Sequence, residues 1–153
     1  MLLFLRSGLI YFHLSQRKGG NKDVDYRKEN WSYELECFRK AVNGGVDGFI
    51  IEIADHYLND RLDNEEYEDR TYTQIDIAVA IFNGKIIEGY SSEDNRIRES
   101  RSMGLVTPSR LVLGKDLQGN WFIIVVGLLT SKHFKVVTCY PPGKRHLPYI
   151  ENF

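Results

Sequence analysis

The chain has little of what most catalytic signatures are built from. It has only two cysteines, Cys37 and Cys139, far apart and in no redox or metal-ligand spacing. They read as buried thiols of a reducing compartment, and the protein as cytoplasmic. Its four histidines, His13, His56, His133 and His146, lie in separate segments with no H-x-H or H-E-x-x-H spacing. Neither a metal nor another cofactor is therefore expected. A glycine-rich phosphate loop and a G-x-S-x-G elbow are also missing, which removes the main supports of kinase, NTPase, dehydrogenase and common hydrolase readings. Long hydrophobic runs are absent too. The apolar start, MLLFLRSGLIYFHL, is interrupted by Arg6, is too short to span a bilayer, and reads as a strand or leader segment.

Nor is there an excess of one charge, since the net is −1 at pH 7 and no global basic surface announces a nucleic-acid partner. The distribution is uneven. Residues 1–90 hold 11 lysines and arginines against 16 acids, and residues 91–153 hold 9 against 5. The C-terminal half is the one suited to meeting an anion. With 42% hydrophobic and 27% charged residues in 153, the chain is long and apolar enough for one domain with a real core.

Residues 16–30, QRKGGNKDVDYRKEN, read as a loop. In NWSYELECFRKAVN, Trp31, Leu35, Phe38 and Val42 recur at helical spacing, and NGG supplies the stop. GFIIEIA is a strand or the lead into the next helix, and periodicity does not separate the two. DHYLNDRL reads as a short helix and DNEEYEDR as an acidic exposed stretch. TYTQIDIAVAIFNG is a clear helix, with Thr73 as N-cap, Asp76 three residues on and Ile77, Ala80 and Ile81 on the buried face. KIIEGY is a strand, and a long polar loop with three arginines follows. SRLVLGKD, NWFIIVVGLLT and FKVVTCYP are three strands joined by hairpin-sized turns. NWFIIVVGLLT, apolar on both faces, belongs at the sheet centre. Helices followed by an antiparallel four-stranded meander make an α+β fold.

The C-terminal stretch HFKVVTCYPPGKRH carries hydrogen-bonding side chains to the end of a strand and stops at Lys144, Arg145 and His146. Alternation puts Phe134, Val136, Thr138 and Tyr140 on one face, with Lys135 on the other. Thr138 and Tyr140 would then lie about 6.5 Å apart, within reach of one phosphate. Arg110, at a strand start, would offer a planar fork at the sheet rim. His56 and Arg61, five apart, would sit on neighbouring helix faces beside a common cleft, the histidine as general acid or base. Taken singly, each of these residues has an ordinary structural explanation.

In order, IEIADHYLNDRL, QIDIAVAIFNGKIIEGY, TPSRLVLGKDLQGNWFIIVVGL and FKVVTCYPP resemble the small toxin-like domains of the Barnase–EndoU–colicin–RelE (BECR) ribonuclease group, over roughly residues 49–142. The resemblance implies residues 49–153 as a ribonuclease-like domain, with residues 1–48 as an extension of loop and helix packed on it. It implies RNA cleavage without a metal, by attack of the 2′-hydroxyl to leave a 2′,3′-cyclic phosphate. It also implies His56, Arg61, Arg110, Thr138 and Tyr140 as catalytic residues. Lys135, Lys144, Arg145 and His146 would extend the substrate-binding rim. The implied partners are RNA and a cognate antitoxin or immunity protein. Two departures stand out: Trp121 and Phe122 open the central strand where related domains often have a histidine, and DNEEYED lengthens the turn after the first motif. The rival reading is a non-catalytic protein- or RNA-binding module on the same fold.

Overall fold

Trp31–Val42 forms helix α1, and its apolar stripe buries Leu35, Phe38, Ala41 and Val42. The computed structural model describes residues 28–54, 72–92, 94 and 107–153. Helix α2 is Gln74–Asn83. Thr73 caps it: its hydroxyl accepts from the Asp76 amide while the Asp76 carboxylate accepts from the Thr73 amide, so two end donors are satisfied reciprocally. Ile77, Ala80 and Ile81 are buried as the pattern predicts. The expected helix at DHYLNDRL lies outside the described residues.

The strands are β1 (Ile50–Ile53), β2 (Lys85–Tyr90), β3 (Ser109–Lys115), β4 (Trp121–Leu128) and β5 (His133–Tyr140). They form one sheet in the order β1-β5-β4-β3-β2. The α+β class holds, and β4 is central as its apolar sequence requires. The four-stranded antiparallel sheet needs correction to a five-stranded mixed one. Strands β2 to β5 are the antiparallel meander, and β1 adds parallel to β5. Parallel neighbours are remote in sequence, so no hairpin signal announces this pairing.

Helices α1 and α2 cover one face of the sheet, where Ile51, Phe122, Ile124, Val126, Phe134 and Val136 join α1 and α2 in one core. Close approach is enforced by missing side chains. A Cβ on Gly114 would meet the Ala80 carbonyl oxygen at 2.4 Å, and one on Gly89 would meet the Trp31 indole at 3.1 Å. The opposite face holds a smaller cluster of Ile87, Leu111, Leu113 and Ile123. A C-terminal tail crosses that face. After β5 come a 3-10 turn, Lys144–His146, and the short helix α3, Leu147–Glu151. Ile150 packs on the second cluster, and the Phe153 ring meets Trp121 edge-on at 4.8 Å. Among the described residues, no helix covers the rest of this face.

A bulge decides which side chains reach it. Val125 pairs with Thr138, but Val126 pairs with Val136, so Val137 is the extra residue. Strict alternation would have kept Phe134, Val136, Thr138 and Tyr140 together. Instead Phe134 and Val136 join Cys139 in the helix-side core, while Thr138 and Tyr140 turn to the other face.

Candidate active site on the sheet face opposite helices α1 and α2

Thr138 and Tyr140 stand in adjacent cross-strand rows, opposite Val125 and Ile123. Both are half-buried. At the start of the tail, Arg145 reaches back over the sheet and donates from Nη1 to both carboxylate oxygens of Glu88, at 3.0 and 3.2 Å. The Tyr90 hydroxyl donates to the same carboxylate. Hydrogen bonding with Tyr90 and the charge of Glu88 push the Arg145 guanidinium above its ordinary pKa, against the opposing effect of burial.

His146 is 3% exposed, and its ring lies 6.2 Å from that of Tyr140. The Gly143 amide donates to its Nδ1 at 2.9 Å, which leaves the neutral ring's proton on Nε2. That Nε2 is buried with no hydrogen-bond partner. Burial pushes the imidazole below its ordinary pKa and the nearby Arg145 charge lowers it further, with Glu88 opposing. Protonation at Nδ1 would also remove the acceptor that closes the turn.

Toward the β1 edge a second polar group occupies the same face. Glu52 lies between Ile51 and Ile53, both of which point into the helix-side core, so its carboxylate points away from the helices. His133 Nε2 lies 3.2 Å from Glu52 Oε2, and Lys135 Nζ lies 3.5 Å from Oε1. All three side chains are partly exposed. A carboxylate holding an imidazole beside an ammonium can orient a ring for proton transfer and offer positive charge to an anion.

The sequence-predicted residues thus divide. Thr138, Tyr140, Lys135, Arg145 and His146 belong to the side opposite α1 and α2, His146 buried within the tail's first turn. Lys144 is exposed on that turn. Arg110 does not join them. It pairs with Val126 of the helix-side core, is 0% exposed, and its Nη2 donates to Glu34 Oε1 of α1 at 2.8 Å while Nε donates to Oε2. The expected arginine fork is present, but it grips α1 from the sheet's covered face. His56 and Arg61 lie outside the described residues.

Glu52, His133, Glu88 and Tyr90 were not among the predicted site residues. The lone acids in IIEI and IIEGY are a faint signal, since a carboxylate inside an apolar strand must point away from the core. His133 gave none, because its partner comes from the remote parallel strand β1.

No curated protein and no solved structure matches the chain. Residues 64–141 match a family described as a domain of unknown function, DUF4258. That span takes in α2 and strands β2 to β5, and with them Thr138, Tyr140, Glu88, Tyr90, His133 and Lys135. It covers half of the chain, and the protein accordingly belongs to the DUF4258 family.

Proposed function

We propose that the sheet face opposite helices α1 and α2 binds RNA and cleaves it without a metal, through attack of the 2′-hydroxyl on the adjacent phosphate, on a BECR-like scaffold. The observation that carries this reading is the convergence on one face of Thr138 and Tyr140 with the Glu52–His133–Lys135 group. Such cleavage needs a proton acceptor at the 2′-oxygen, a donor at the leaving 5′-oxygen and positive charge beside the phosphorane. His133, oriented by Glu52, can accept a proton. Tyr140 can donate one, Thr138 can hydrogen-bond a phosphate oxygen, and Lys135 supplies charge. Lys144 and Arg145 extend the cationic side of the tail. The resemblance adds His56 and Arg61 as further proton-transfer and phosphate groups, and a protein inhibitor as partner. Two buried free thiols fit a cytoplasmic setting. Among the described residues no helix is long and apolar enough to cross a membrane.

A second reading, a non-catalytic protein- or RNA-binding module, is favoured by one specific observation. Lys135 and Arg145 are already ion-paired, to Glu52 and Glu88. Incubation of the protein with total RNA in EDTA, with analysis of product ends, separates the two. The cleavage reading predicts 2′,3′-cyclic phosphate ends and a loss of about a hundredfold or more in Tyr140→Phe and in His133→Ala, the usual scale of a general acid or base. Intact RNA, or cleavage unaffected by both substitutions, would leave the binding module as the reading.

A further inference from the structure

The chain beyond β5 is held to the sheet by a titratable anchor. Pro141 and Pro142 end the strand, since neither offers an N–H to its ladder. Of residues 141–153, all of them described, His146 alone is buried. An imidazole thus holds the position where a tail crossing an apolar cluster would ordinarily place a hydrophobic side chain. The other attachments lie nearer the surface. Arg145 pairs with Glu88, Ile150 packs on the cluster of Leu111, Leu113 and Ile123, and the Phe153 ring meets that of Trp121. No tail residue belongs to the larger core under α1 and α2.

Both ring nitrogens of His146 suit only the neutral form. Nδ1 accepts from the Gly143 amide at 2.9 Å and closes the turn, and a proton there would set two donors face to face. Nε2 is buried without a partner, so no acceptor meets the charge of an imidazolium. The charged and titratable groups around the ring are Arg145 and Lys144 on its own turn, Glu88 and Tyr90 on β2, and Tyr140 on β5. Arg145 opposes a second positive charge. Glu88 favours one, but its carboxylate is already engaged by Arg145 and Tyr90.

We propose that the tail is a pH-operated strap, closed while His146 is neutral and released from the sheet when His146 takes a proton, with the core under α1 and α2 intact. In the released tail the ring stands in water and takes its proton near the ordinary pKa of about 6.5, ahead of the closed form. Acid therefore favours opening, by up to about tenfold per pH unit below that value, the limit for one proton. A segment with few buried contacts opens at a fraction of the global stability, so the strap parts while the strands hold. Opening bares the part of the apolar cluster under Ile150 and removes the ring beside Tyr140. The proposal does not rest on RNA chemistry at that face.

The test is a pH titration of the full ¹⁵N-labelled chain from 7.5 to 5.0. As pH falls below about 6.5, the Gly143 amide and Trp121 indole signals are expected to move together. The heteronuclear NOE of residues 144–153 is expected to drop over the same range, while backbone signals of α1, α2 and β3 hold. The ring nitrogens of His146 report its protonation directly, with a midpoint expected to coincide with that of release. His146→Gln, whose side-chain oxygen accepts from Gly143 but does not titrate, is expected to keep the tail ordered throughout. A tail that stays ordered to pH 5.0, midpoints that do not coincide, tail and core signals lost together, or the same acid release in His146→Gln would each overturn the proposal.

Discussion

At Arg110 a cationic side chain with no exposed surface meets the carboxylate of Glu34, itself largely buried, across the helix–sheet interface. Removing one partner of such a pair strands the other charge, at a cost of about 3–5 kcal/mol. Glu34→Gln is therefore expected to lower the free energy of urea unfolding on that scale, while Glu34→Leu combined with Arg110→Met should recover most of the loss. Equal losses in the single and double variants would show that the pair is not coupled. His146 predicts a pH effect. Above the ordinary histidine pKa the ring is neutral in folded and unfolded chains, so its contribution is complete. As pH falls below about 6.5 the unfolded chain takes the proton first, and stability declines until the depressed folded pKa is passed. Unfolding curves at pH 7.5, 6.5 and 5.5 should show this decline, and His146→Gln should flatten it. Arg110 also shows what the sequence withheld: an arginine opening a strand after TPS reads as a rim residue, and only the register against Val126 puts it beneath α1.

At the scale of elements, helices α1 and α2 were legible because local chemistry and burial agree. The capping box at Thr73 and Asp76 and the stripe through α1 each needed only neighbours in sequence. Thr73→Ala should cost about 1 kcal/mol of stability by urea titration. Gly114→Ala should cost more than that, since its Cβ meets backbone at Ala80 rather than a side chain that can swing away. A cost below that of Thr73→Ala would contradict the close approach of α2 to β3. The bulge at Val137 was not legible. One extra residue reverses the faces of a strand, and VVT is equally good strand sequence with or without it. That reversal separates Phe134 and Val136, in the core, from Thr138 and Tyr140, on the opposite face.

For the whole molecule, sequence order set the α+β class and the antiparallel meander, whereas the fifth strand needed a contact between residues about eighty apart. The same contact builds the Glu52–His133 pair, so the part of the site that sequence missed is the part that long-range topology makes. Among the described residues, the result is a sheet with one face under α1 and α2 and the other carrying a short tail beside a polar surface. The measurement that tests this account most directly is a titration of the ¹⁵N-labelled protein with a short 2′-O-methyl RNA, which cannot undergo 2′-hydroxyl attack. The account predicts saturable shifts at Lys135, Thr138 and Tyr140, weakened by added salt as phosphate contacts require. Shifts confined to α1 and α2, or none at all, would contradict it.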